Sequence, residues 1–216
     1  KEEDLITMNA VYPVMLTFSE RCWRGGGWKN YLSDISSPGN ERYNAFVEFE
    51  NRLLEHKSLY FSKLSFPYIR QSNIEWKLIG PFDNKGKTET IFHPEAISFT
   101  DTVQLKNYPA VYGGTIWVRH FWHPMIQSHL DNQEDSATYY AVRKLWSDEE
   151  GVKDFWIGFN NLSRSPATDS PPVGAWDDKN SAVWINGKLI APPQWKRAGQ
   201  KGDSEIPLVD EGYEYR

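Results

Sequence analysis

The clearest structural signal in this 216-residue chain is the run Val183-Trp184-Ile185-Asn186-Gly187-Lys188-Leu189-Ile190. Two short apolar runs flank an Asn-Gly pair, and this pair supplies the two positive-φ residues that a type I′ turn requires. The run therefore predicts a β-hairpin with a two-residue loop.

Short apolar runs separated by turn residues continue upstream of this hairpin as far as Ile74. The predicted strands are Glu75–Ile79, Thr88–Phe92, Ala96–Phe99, Thr115–Phe121, Thr138–Leu145, Lys153–Phe159, Ala182–Ile185 and Lys188–Ile190. The intervening turn signals are Gly80-Pro81, Asp83-Asn84, Gly113-Gly114 and Pro171-Pro172. Many short strands with frequent turns are typical of an antiparallel sandwich.

The first third of the chain has helical periodicity instead. An apolar stripe follows Pro13 and stops at Gly25-Gly26-Gly27, a run that has no helical preference. Ser37-Pro38 predicts the N-cap and first turn of a second helix, which Pro67 closes. We therefore expect two domains: a helical segment over 1–66 and a β-sandwich over 74–216.

Composition excludes several classes of protein. Lys and Arg number 24 and Asp and Glu number 29, so the formal net charge of −5 offers no general attraction for nucleic acid. The single cysteine excludes an internal disulfide and a multi-cysteine zinc site. No apolar run approaches the roughly 20 residues of a membrane-spanning helix.

Candidate catalytic and metal-binding groups are sparse. Asp177-Asp178 and Asp148-Glu149-Glu150 are the densest acidic runs, and their Gly, Ser and Lys neighbours favour solvated turns over a pair of catalytic carboxylates. His120 and His123 are the candidate metal ligands. In a strand they would point to opposite faces, and Pro124 disfavours the helix on which they would converge. The sequence predicts no metal site, no cofactor and no catalytic residue.

Aromatic residues make up 15% of the chain and include ten tryptophans, whose rings could stack on the apolar face of a pyranose. In a sandwich most of them belong to the core. Trp176 and Trp195 are the best candidates for sugar contact because they lie in loops rich in Pro and Gly. Asp177, Arg164 and Asn160 would then hydrogen-bond sugar hydroxyls near a loop-end site.

Two parts of the chain resemble β-N-acetylhexosaminidases of glycoside hydrolase family 20. Val11–Trp23, with its Glu20-Arg21-Cys22-Trp23, is similar to the end of their catalytic barrel, and Phe49–Lys57 is similar to that domain's terminal helix. The later part resembles the β-sandwich appended to such enzymes in gut Bacteroidetes, through the runs Trp156–Ser165, Pro171–Asp177, Trp184–Gly187 and Pro192–Trp195. Trp76–Phe82 is similar to the opening strand of galactose-binding-like jelly rolls.

This resemblance implies a mainly β chain, an antiparallel jelly-roll-like sandwich preceded by two helices of a barrel. It also implies buried packing and an internal ion pair for Glu20, Arg21 and Trp23. The family's catalytic Asp-Glu pair has no counterpart, since Asp148-Glu149 and Asp210-Glu211 lack the family's surrounding motif. We therefore expect a non-catalytic C-terminal fragment that is inactive alone, from a parent acting on terminal N-acetylhexosamine.

The alternative is a freestanding carbohydrate-binding module. The expected partners are a glycan or the upstream barrel. An open sheet edge could also pair with a second copy of the chain, because unpaired strand edges tend to find a partner. The resemblance implies a secreted or periplasmic protein.

Overall fold

The computed structural model describes residues 15–25, 38–63, 68–96, 105–118, 128–130, 134–153, 155, 157–159, 171–195 and 198–200. Residues 15–24 are helical (α1), and two further helices are α2 (Glu41–Leu59) and the short α3 (His93–Ala96). The strands are β1 (Glu75–Asp83), β2 (Ala110–Tyr112), β3 (Ala137–Val142), β4 (Val183–Ile185) and β5 (Lys188–Ile190).

Helix α2 forms where apolar periodicity predicts it, but with different ends. Asn40, not Ser37, is the N-cap, and its side-chain oxygen accepts the Tyr43 backbone N–H at 2.9 Å. A side-chain acceptor at this position satisfies one of the free N–H groups of the first turn, as Ser would have done. The helix ends at Leu59, well before Pro67, and the Tyr60 N–H still donates to the His56 carbonyl.

Helix α1 ends at Gly25, as predicted, with a positive φ of 87° at this glycine. Its predicted apolar stripe is largely exposed: Met15 retains 54% and Phe18 69% of its accessible surface. The stripe therefore does not form part of the core of the described residues.

The first sheet has the strand order β2-β1-β3, and β1 pairs with β2 in antiparallel fashion, with Trp76 opposite Val111. Strand β1 continues through Gly80-Pro81, where the sequence predicted a turn; this prediction is wrong. The Gly80–Pro81 peptide bond is cis. At Gly80 the strand has φ 129°, and an added Cβ would lie 2.9 Å from the Thr138 carbonyl oxygen. Glycine fits both the torsion angle and this close approach.

The hairpin prediction is confirmed in detail. Strands β4 and β5 are antiparallel, with Ile185 opposite Lys188 across a two-residue loop. Asn186 and Gly187 have φ values of 52° and 76°, the positive torsion angles that a type I′ turn requires.

Other predicted strands do not form. Thr88–Phe92 is wrong as a strand: residues 88 and 89 lie in a turn, and the Thr90 N–H donates to the Lys87 carbonyl at 3.2 Å. The described residues of Thr115–Phe121 and Lys153–Phe159 are also not extended in a sheet. Ala96 ends α3, and residues 97–99 lie outside the described part.

The described residues form two compact units, each built from two chain segments. The first falls within 1–78 and 109–133, with Leu53, Ile74 and Leu78 in its core; the second falls within 79–108 and 134–216, with Ile79, Leu105 and Trp176 buried. The division into a helical segment over 1–66 and a sandwich over 74–216 stays a prediction.

Two helices followed by small antiparallel sheets are therefore confirmed. The closure of these strands into a jelly roll stays a prediction, as does pairing through an open sheet edge. Among the described helices, none combines the length and apolar character that crossing a membrane demands.

Candidate functional site

The two predicted sugar-stacking tryptophans lie in the second unit with their indole N–H groups bonded to backbone carbonyls. Trp176 is 8% exposed, donates to the Ile190 carbonyl at 3.3 Å and meets Phe159 edge-on. Trp195 donates to the Ala175 carbonyl at 2.8 Å. These bonds bring the two tryptophans to one region of the unit, and the burial of Trp176 leaves little ring surface for a sugar.

Asp177 organises a turn between these tryptophans. One of its oxygens accepts the backbone N–H groups of Lys179 and Ser181, both at 3.0 Å, and the other accepts the Ser181 hydroxyl at 2.7 Å. Its neighbour Asp178 pairs with Lys179 in solvent. This geometry agrees with the interpretation of Asp177-Asp178 as a turn.

Asn160 and Arg164, the other two predicted sugar-binding residues, lie outside the described part of the chain. The structure thus locates Trp176, Asp177 and Trp195 alone among the five, and their contact with sugar stays a prediction.

The second acidic run lies on the surface beside an exposed tryptophan. Asp148, Glu149 and Glu150 are all exposed, and Asp148 accepts the indole N–H of Trp146 at 2.8 Å. Trp146 itself is 89% exposed. Its hydrogen bond orients the ring and leaves the ring faces open to solvent.

The candidate metal ligands His120 and His123 lie outside the described residues. The nearby His129 accepts the Trp117 backbone N–H at Nδ1, at 2.9 Å. Nowhere in the described ranges do three His, Cys, Asp or Glu side chains gather in an arrangement that could hold a metal ion.

The two helical motifs of the resemblance are joined by an ion pair. Arg52 of α2 donates through both Nε and Nη2 to the two carboxylate oxygens of Glu20 in α1, with an Nε–Oε2 distance of 3.2 Å. A bidentate guanidinium–carboxylate pair is geometrically specific as well as charge-assisted. The expectation of buried packing is wrong for Trp23, which is 91% exposed.

Glu50 is a residue that sequence reasoning missed. Its side chain is fully buried in α2, and its carboxylate accepts three hydrogen bonds from residues 68–74, which we call the 68–74 segment. The donors are the Tyr68 hydroxyl and the Gln71 N–H, both at 2.6 Å from Oε1, and the Ser72 N–H, at 2.9 Å from Oε2.

A signal for Glu50 was present in the sequence. The residue falls at helical spacing within the apolar stripe of α2, between Phe46 and Leu53, where a charge is unexpected. A buried carboxylate needs compensating donors. Burial and the hydrogen bond to Glu50 in turn raise the pKa of Tyr68 well above its usual range.

Further bonds tie the 68–74 segment into the first unit. The Tyr43 hydroxyl of α2 donates to the Ser72 carbonyl at 3.0 Å, and the Gln71 side-chain oxygen accepts the Gly114 N–H. The Gly113 N–H donates to the Ile74 carbonyl at 2.9 Å. The segment is therefore held from α2 on one side and from the residues after β2 on the other.

A second phenol that donates to a glutamate lies in the other unit. The Tyr140 hydroxyl donates to Glu95, and its ring meets Phe82 edge-on. Phe82 also stacks on Phe92 and contacts His93. Burial raises the pKa of Tyr140, with the Glu95 hydrogen bond acting in the same direction. This cluster keeps the phenol protonated, which suits packing and not nucleophilic chemistry.

Comparison with known protein families, with curated proteins and with solved structures finds no match to this chain. The functional conclusion therefore depends on the residues and contacts above.

Proposed function

We propose that this chain is a C-terminal, non-catalytic part of a secreted or periplasmic glycoside hydrolase resembling the family 20 β-N-acetylhexosaminidases. The parent would remove terminal N-acetylhexosamine from glycans. Residues 74–216 would form a jelly-roll-like accessory domain that braces the upstream barrel. The observation that carries the proposal is the Glu20–Arg52 ion pair, which joins the two segments that resemble the end of that barrel.

The contacts of Glu20 and Glu50 favour a bracing role over a catalytic one. Glu20 is engaged by Arg52 and also by Arg24, at 3.4 Å. Glu50 is inaccessible and accepts backbone N–H groups. A general acid must deliver a proton to a leaving group at hydrogen-bond distance, and neither carboxylate is free to do so.

An activity assay on the chain tests this proposal. The purified 216-residue chain should release no nitrophenol from a nitrophenyl β-N-acetylglucosaminide. The gene's reading frame upstream of Lys1 should encode a barrel with an adjacent Asp-Glu pair. Turnover by the chain alone, or a reading frame without a barrel, would overturn the assignment.

A carbohydrate-binding module is the second candidate, and the exposed ring of Trp146 favours it. Such a ring, oriented by Asp148, offers a flat surface to the C–H face of a pyranose. Calorimetric titration with N-acetylglucosamine and galactose oligomers separates the candidates. If the chain is a carbohydrate-binding module, it should bind these oligomers, and Trp146→Ala should abolish binding. Trp184→Ala, the matched control in strand β4, should leave binding unchanged. If the chain only braces the barrel, the titration should show no heat of binding.

A further inference from the structure

The predicted domain boundary at residues 66–74 includes the heavily hydrogen-bonded 68–74 segment. A flexible linker would leave its backbone donors to water. Here two consecutive N–H groups, those of Gln71 and Ser72, donate to one buried carboxylate that lies 21 and 22 residues upstream. The Ser72 residue is itself 1% exposed.

We propose that Glu50 is an anionic lock that fixes the 68–74 segment to α2, so that α2 and the first residues of β1 move as one body. The inference concerns the conformation of the chain and does not depend on the proposed function. Its consequence is that the helical and strand-forming parts of the first unit cannot hinge at this connection while Glu50 is in place.

The lock needs a carboxylate and not only a polar side chain of this shape. Both Glu50 oxygens accept, so an amide at position 50 must turn its NH₂ group toward a donor. The better orientation keeps the amide oxygen on Tyr68 and Gln71. The Ser72 N–H then faces another donor and loses its partner inside the protein, where an unsatisfied group is costly.

Hydrogen exchange on the full chain tests the lock at single amides. In Glu50→Gln, the Ser72 amide should exchange about 5- to 160-fold faster than in the wild type, since an unmade buried bond costs about 1–3 kcal/mol. The Gln71 amide should change less. Glu55→Gln, on the exposed side of the same helix, is the matched control and should leave both amides unchanged.

Proteolysis gives an independent readout, because Arg70 places a trypsin site within the segment. Glu50→Gln should be cut after Arg70 faster than Glu55→Gln. If Glu50→Gln does not fold, Tyr68→Phe tests the proposal instead. This variant removes one donor to Glu50 and should speed exchange of the Gln71 amide several-fold. Unchanged exchange at Gln71 and Ser72 in a folded Glu50→Gln, or at Gln71 in Tyr68→Phe, would overturn the proposal.

Discussion

Glu50 in the first unit and Asp177 in the second each accept three hydrogen bonds, but Glu50 binds distant parts of the chain and Asp177 binds its near neighbours. The donors to Glu50 come from Tyr68, Gln71 and Ser72, which lie 18 to 22 residues away in the chain. The donors to Asp177 come from Lys179 and Ser181, two to four residues away. Glu50 is fully buried and Asp177 is not.

The contrast shows why the number of hydrogen bonds is a poor guide to importance. When the Asp177 carboxylate is removed, water can take its place as the acceptor for the donors of Lys179 and Ser181, so the turn loses little. Glu50 itself is fully buried and its Ser72 donor is buried with it, so water does not readily replace the missing acceptor for that N–H. Sequence separation and burial together separate a long-range lock from a turn.

The largest expected loss of stability comes from truncating Glu50, and Asp177 serves as the comparison. Glu50→Ala should lower the free energy of unfolding by about 3 kcal/mol or more, because it leaves buried N–H groups without acceptors. Asp177→Ala should cost about 1 kcal/mol. Chemical denaturation followed by tryptophan fluorescence measures both losses. Equal losses for the two variants would remove the distinction between the two carboxylates.

Tyr68 gives the next effect, and it depends on pH. Its pKa is raised in the folded chain by burial and by Glu50, so the stabilisation from the neutral phenol is complete below about pH 10. This stabilisation is lost as the pH rises through the folded pKa. Tyr68→Phe should cost about 1 kcal/mol near neutrality.

An ultraviolet titration of tyrosinate checks the same group. The folded wild type should show a phenol that ionises late, and Tyr68→Phe should lose that component while keeping the one from Tyr140. Ionisation of every phenol together near pH 10 in the folded protein would contradict the hydrogen bond from Tyr68 to Glu50.

A smaller effect is expected at the ion pair between the helices. Arg52 and Glu20 retain 31% and 25% of their side-chain exposure, so Arg52→Met should cost about 0.5 kcal/mol. Glu48→Gln is the control, because its contact with Arg52 is long, at 3.9 Å, and Glu48 is mostly exposed. Thermal unfolding at low and high salt should show a salt-sensitive loss for the Arg52 variant alone.

The smallest effect is expected beside Glu50 itself. The Ser72 hydroxyl is buried and, among the described residues, has no hydrogen-bond partner. Ser72→Ala keeps the backbone N–H that donates to Glu50 and removes an unsatisfied group, so stability should stay equal or rise slightly. A clear loss of stability in a denaturation curve would reveal a partner for this hydroxyl.

Local patterns in the sequence predicted local structure well. Asn186-Gly187 specified its own turn, the apolar periodicity specified α2, and the Asp177 turn followed from its neighbours. In each case the interactions that determine the structure lie within a few residues, so spacing and residue type are sufficient.

Features that depend on distant partners were missed or misjudged. Gly80-Pro81 was predicted as a turn because the approach of Thr138 cannot be read from adjacent residues. Thr88–Phe92 has strand-like composition, but its Thr90 N–H closes a turn with the Lys87 carbonyl. Glu50 needed donors from the 68–74 segment before its burial made sense. Tertiary contacts decided all three.

Gly80 lies where strands β1 and β3 approach too closely for a side chain. An added Cβ would lie 2.9 Å from the Thr138 carbonyl oxygen, 3.2 Å from Tyr139 Cδ1 and 3.3 Å from Tyr139 Cα. The nearest of these atoms belongs to the backbone and cannot rotate aside. Even the single methyl group of Gly80→Ala would therefore push β1 and β3 apart from within. The absence of a side chain at Gly80 thus permits the spacing between β1 and β3. Any replacement would displace β3 through a contact that the wild type does not make.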